Sequence, residues 1–186
     1  DEHWQIEATG PVTTTVSAQG WWFCSEGHKL ARFRCQLSFH ANGLVIIDAM
    51  IHNPNRARHS GGLWDLGDPG SIHFGGMVVE TDIGGSEHFR LSLASDQPPR
   101  EFSADQPLLL HQESSGGENW NSRNHINAEG QVLPRYRGYR LVYGQDDQEQ
   151  GLRAEPVLEA RTADSVVSVG LPHFWQNFPS ALEADD

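Results

Sequence analysis

One stretch of this sequence concentrates residue types that handle sugars well. Ser114-Ser115-Gly116-Gly117-Glu118-Asn119-Trp120-Asn121-Ser122-Arg123-Asn124-His125-Ile126-Asn127 sets a single tryptophan among amides, hydroxyls, a guanidinium and an imidazole. Few apolar neighbours are at hand to bury it. An aromatic ring takes the C–H face of a pyranose, and Asn121, Arg123 and His125 have the chemistry to reach hydroxyls or a carboxylate. The competing reading is a polar loop folded over a β-structure, with Trp120 as its plug.

A second stretch, Asn53 to Ser71, holds four glycines and two prolines in nineteen positions. That density implies a tightly specified backbone path. Asp65 and Asp68 suit the capping of backbone N–H groups, which leaves Trp64 to pack or to stack on a ligand. The same two carboxylates could take Ca²⁺ with carbonyl help, but two fall short of the usual oxygen cage. Structure is the favoured reading of this loop.

The ten histidines form no H-x-x-x-H, H-E-x-x-H or H-x-H arrangement, so zinc would depend wholly on the fold. His40 and His52 fall on neighbouring expected strands, and His59 and His125 in the two loops. No Gly-x-Ser-x-Gly nucleophile elbow and no phosphate-cradling glycine loop is visible. Asp and Glu are plentiful, but the separation that makes a glycosidase pair exists only in the fold. No residue is assigned a catalytic role.

The elements that must position these loops are short runs rich in β-branched and aromatic residues, broken by Gly, Pro, Asn and Asp. Expected strands are 4–8, 12–17, 21–24, 29–40, 44–53, 71–80, 88–94, 108–113, 136–143, 154–160 and 165–170. Lys29–Phe39 alternates with one slip: Leu30, then Phe33, Cys35, Leu37 and Phe39 share a side. Asn42-Gly43 is a hairpin signal of the type I′ kind. The stretches 96–106 and 145–151 read as surface loops. Pro179-Ser180-Ala181-Leu182-Glu183-Ala184 could begin a short helix. The fold class is therefore all-β, a barrel or a β-sandwich, with at most a short C-terminal helix.

Lys plus Arg number 13 against 25 Asp plus Glu, for a net charge of −12. That balance argues against nucleic acid and anionic lipid as partners. Twelve of the cations are arginine; Lys29 is the only lysine. No apolar run has the eighteen or so residues of a membrane span. Cys24 and Cys35 are too few for a disulfide scaffold and are expected out of register with each other, as free thiols. A start at Asp1 suits a trimmed or processed chain.

Gly61-Gly62-Leu63-Trp64-Asp65-Leu66-Gly67-Asp68-Pro69-Gly70-Ser71, preceded by Asn53-Pro54, resembles the signature of the first domain of exo-rhamnogalacturonan-lyase-like (PcRGLX/YetA-like) proteins. Three further pieces fit that pattern in order: the Ser-Gly-Gly-Glu-Asn-Trp loop ending in Asn124-His125, Tyr136-Arg137-Gly138-Tyr139, and Phe174-Trp175-Gln176-Asn177-Phe178-Pro179. Ser180 departs from it, standing where a basic residue is expected. The resemblance implies a single RIFT-type barrel over residues 1–173 and an exit segment, 174–186, toward a following catalytic domain. It also implies a polysaccharide or oligosaccharide ligand and a secreted, periplasmic or cell-surface protein, bacterial in origin. Such a lyase removes the proton next to a uronate carboxylate and expels the 4-linked sugar. This module would shape the cleft through Trp64, Trp120, Asn121, Arg123 and His125. The alternatives are a stand-alone glycan-binding module or a structural adaptor.

Overall fold

The computed structural model describes residues 4–56, 70–122, 125 and 131–185. Among these the chain is all-β, with twelve strands in three antiparallel four-stranded sheets and no α-helix. The chain divides into two compact units, Asp1–Met77 and Val78–Asp186.

The first unit is a meander of β1 (Trp4–Thr9), β2 (Thr13–Phe23), β3 (Lys29–His40) and β4 (Val45–His52). The expected strands 12–17 and 21–24 are one strand, because Gly20 need not break it. Its missing side chain makes room for Phe33: a Cβ there would sit 2.8 Å from the Phe33 ring, which stacks on Trp22 at 5.6 Å. The slip in the β3 alternation is a bulge. Trp22 pairs with Ala31 but Phe23 with Lys29, leaving Leu30 as the extra residue. Beyond it, Val16, Leu37 and Ile47 lie abreast, then Ala18, Cys35 and Ala49. One face is thus continuously apolar, and Gln19, Arg32, Arg34, Gln36 and Asp48 occupy the other.

Both hairpins of β3 use the same turn chemistry. Gly43 N–H donates to the His40 carbonyl and His40 N–H to the Leu44 carbonyl, with Gly43 alone at positive φ (88°). Cys24, Gly27 and His28 repeat the pattern, with Gly27 at φ 83°. These are three-residue loops ending in a left-handed glycine, so the type I′ turn expected at Asn42-Gly43 is corrected. Asn42 accepts from the Leu44 N–H through Oδ1 instead of taking positive φ itself. Cys24 and Cys35 are free thiols, each partly buried.

The second unit has two sheets. One is ordered β11 (Val166–Gly170), β10 (Val157–Arg161), β5 (His88–Ser92), β6 (Arg100–Ser103). The other is ordered β12 (Ser180–Ala184), β7 (Leu108–Gln112), β8 (Tyr139–Tyr143), β9 (Asp146–Gly151). Phe89, Leu91 and Leu158 from the first sheet meet Leu108, Leu110 and Leu141 from the second in one buried cluster that includes Phe174. Alternation along β5, β7 and β8 supplies these residues, as a half-buried antiparallel sheet requires.

Four expectations are corrected. Residues 180–184 form strand β12, not a helix: Leu182 lies opposite Leu110, and burial alternates along the segment. The stretches 96–106 and 145–151 contain β6 and β9, polar strands at sheet edges that carry little apolar signal. Residues 71–80 form no strand, since Gly75-Gly76 divides the apolar run. The strand expected from Tyr136 starts only at Tyr139, after Gly138 turns the chain at φ 77°.

Candidate functional site

Strand alternation in the second unit builds a site on the sheet face opposite the core. Along β7, Leu108, Leu110 and Gln112 point inward, which places Leu109 and His111 outward. Register sets Leu109 opposite Val142 and His111 opposite Arg140. These residues, with Arg135, Tyr136 and Asp147, line an open groove of about 500 Å³.

Its anchor is Glu113, one step past the end of β7, whose side chain is only 7% exposed. One carboxylate oxygen accepts from the backbone N–H of Arg135 (2.8 Å) and its Nε (2.9 Å); the other accepts from a terminal guanidinium nitrogen (3.0 Å). Burial pushes the Glu113 carboxyl up, but the hydrogen bonds and charge of Arg135 outweigh it, with help from His111. The carboxyl is held below its ordinary value of 4.5. His111 Nδ1 lies 3.5 Å from Glu113 Oε2 and shares a 2.7 Å hydrogen bond with the Tyr136 hydroxyl. Burial lowers the His111 pKa against the pull of Glu113, with Arg135 adding to the lowering, so the neutral form of the imidazole is favoured. Burial, then the Glu113 charge, raises that of Tyr136.

Arg140 completes the groove. Its guanidinium carbon stands 4.3 Å over the Tyr136 ring, and its buried Nε has no hydrogen-bond partner among the described residues. No carboxylate among the described residues forms an ion pair with it. Stacking on an aromatic ring orients a guanidinium without neutralising it. The arrangement offers a planar cation with no ion-pair partner among the described residues, an imidazole whose neutral form is favoured, a phenol and an apolar floor, with the Asp147 carboxylate also in the lining.

A second network secures the loop that follows Glu113. Buried Ser114 accepts the Gly138 N–H through Oγ (2.8 Å). Gln112 donates to the Ser114 and Leu152 carbonyls, and accepts from the Ala154 N–H. Arg137 Nε donates to the Gly116 carbonyl, and Arg153 Nε to that of Ser115. Gly116 has φ 69°, and a Cβ there would lie 2.0 Å from the Leu152 carbonyl oxygen, so only glycine fits. Arg153 in turn sits 4.2 Å over the Trp175 ring, whose Nε1 donates to Glu155.

Of the residues singled out in the sequence, Trp64, Asp65, Asp68 and Arg123 lie outside the described residues. Trp120 is partly buried and Asn121 exposed, as the two central residues of a turn closed by Ser122 N–H to the Asn119 carbonyl. The partly buried His125 meets Phe178 in an edge-to-face pair at 5.4 Å, so the two rings pack on each other. The loop, Tyr136–Tyr139 and Phe174–Phe178, separate in sequence, are thus brought together. Asn53 ties the ends of the first loop: its side chain donates to the Gly70 carbonyl (2.7 Å) and accepts from the Asn55 N–H. His40 and His52 lie at opposite ends of their sheet. Among the described residues no group of three His, Cys, Asp or Glu could hold a metal ion.

Sequence reasoning missed His111, Glu113, Arg135, Tyr136 and Arg140. The signal was present as polar residues at i and i+2 closing an apolar run, and as three arginines in Arg135-Tyr136-Arg137-Gly138-Tyr139-Arg140. No family model, curated protein or solved structure matches the chain.

Proposed function

We propose that this chain is a non-catalytic glycan-binding module of a larger carbohydrate-active protein of the polysaccharide-lyase kind, acting outside the cytosol. The observation that carries this reading is Arg140, stacked on Tyr136 with no acidic partner among the described residues, beside an imidazole whose neutral form is favoured, in an open groove. A sugar carboxylate accepts from the guanidinium, the ring hydroxyls pair with His111 and the Tyr136 hydroxyl, and Leu109 and Val142 meet the apolar edge of the pyranose. The partly buried Trp120 and exposed Asn121 extend the same chemistry along the polar loop.

Affinity electrophoresis in gels holding polygalacturonate or a neutral glucan tests it. Retardation by polygalacturonate alone, lost in Arg140→Gln with the far-ultraviolet dichroism intact, is the expected outcome. Retention of affinity in both Arg140→Gln and Trp120→Ala overturns the binding role and favours a structural adaptor.

A further inference from the structure

A different face, on the first unit, carries a second group of cations, of which Arg32 and Lys29 form no ion pair among the described residues. The register of the meander sets Gln19, Arg34 and Met50 abreast, with Trp21, Arg32 and His52 in the next row. Side chains two apart on a strand share a face, so all six belong to the polar side of the sheet. Gln19, Arg32, Arg34, Met50 and His52 line a shallow cavity of about 320 Å³.

Neutral partners orient Arg32 and Lys29, while Arg34 has both a neutral partner and a carboxylate. Arg32 donates to the Gln19 amide oxygen (3.0 Å), and Arg34 to that of Gln36 (3.1 Å). Lys29 Nζ stands 4.6 Å over the Trp21 ring. Two carboxylates share the face. Glu7, at the β1 bulge, lies 3.6 Å from Arg34 and also accepts the Ser17 hydroxyl. Asp48, opposite Gln36, makes no ion pair among the described residues. Among the described residues Arg32 and Lys29 form no ion pair with an acid, in a chain whose net charge is −12. A guanidinium held by a neutral amide keeps most of its donors and all of its charge for a ligand.

We propose that this face is an oxyanion-binding site, in which Arg32 and Arg34, flanked by Lys29 and His52, take a carboxylate or phosphate group of a small ligand. Alternate residues on a strand stand about 7 Å apart, so one oxyanion seated between Arg32 and Arg34 accepts from both. Long polyanions are disfavoured by the overall negative field, which points to a ligand with one such group.

The test is an NMR titration of the arginine Nε–Hε signals of the whole chain with sodium phosphate and, separately, sodium acetate, at ionic strength held constant with sodium chloride. Saturable shifts at Arg32 and Arg34, with Arg100 and Arg153 unmoved, are expected. Arg32→Gln weakens the binding by about tenfold or more, as loss of a charge-assisted hydrogen bond requires. Saturation by phosphate alone or by acetate alone supports the site and assigns the ligand group; saturation by both supports a general oxyanion site. Shifts that stay linear with both anions, or an affinity unchanged in Arg32→Gln, overturn the proposal. Arg140 reports separately in the same spectra, so this result is independent of the groove in the second unit.

Discussion

Replacing Gln112 with glutamate exchanges an amide nitrogen for an oxygen at a position with no solvent exposure. In the native chain that nitrogen donates to the Ser114 carbonyl at 2.6 Å and the Leu152 carbonyl at 3.0 Å. A protonated glutamic acid can still donate once, so one carbonyl loses its partner at a cost of about 2 kcal/mol. An ionised side chain donates nothing and faces two carbonyl oxygens in a desolvated interior. Such burial raises a glutamate pKa by roughly 3–5 units. The sign follows from linkage. The folded pKa lies above the unfolded one, so stability is fully present below the unfolded pKa and is lost as pH rises toward the folded pKa. The loss is about 1.4 kcal/mol per pH unit. Gln112→Glu is therefore expected to be less stable than the parent by about 2 kcal/mol near pH 4.5 and by about 6 near pH 7.5. That second figure rivals the whole stability of an ordinary domain. Urea unfolding of variant and parent at about pH 4.5, 6 and 7.5 measures the gap, with Gln112→Leu as a control whose gap to the parent stays flat. A pH-independent gap for Gln112→Glu would refute the burial and the donor role assigned to this side chain.

Two glycine substitutions separate backbone strain from lack of space. Gly43→Ala, at φ 88° with nothing within 4 Å of the new Cβ, is expected to cost about 1–2 kcal/mol in urea unfolding. Gly116→Ala adds a 2.0 Å approach to the Leu152 carbonyl and is expected to cost upwards of about 3 kcal/mol; equal losses would remove the steric argument. Glu113 contributes acid sensitivity of the opposite sign to the engineered glutamate. Its folded pKa is depressed, so its stabilisation is present above the unfolded value of 4.5 and is lost as pH falls through the folded pKa. Arg135→Gln removes the largest of the lowering influences, and the slope of stability between about pH 5 and 3 should become shallower; an unchanged slope would deny the pairing its role.

Much of this architecture was legible in the residues. Strand β3 and the hairpins at Gly27 and Gly43 follow from β-branched and aromatic runs and from glycines that alone take positive φ cheaply. The slip between Leu30 and Phe33 was visible as a change of phase, and the pairing with β2 shows it to be a bulge. Edge strands β6 and β9 were not legible, since strands exposed on their outer sides need no apolar residues and read as polar loops. Strand β12 was misread because Ser-Ala-Leu-Glu-Ala has good helix propensity. Pairing with β7, which seats Leu182 opposite Leu110, outweighs that local preference.

The groove shows the same division at the level of chemistry. The sequence alone determined an all-β chain, its acidic balance, its turn positions and the polar tryptophan loop, because each depends on composition or on neighbours a few residues apart. Which polar groups meet was decided only by the tertiary structure. His111, Glu113, Arg135, Tyr136 and Arg140 come from segments more than twenty residues apart and converge through the β7–β8 register and the turn at Gly138. Their altered proton affinities arise from that convergence, because desolvation and the field of a charge a few ångströms away do not exist until the chain has folded.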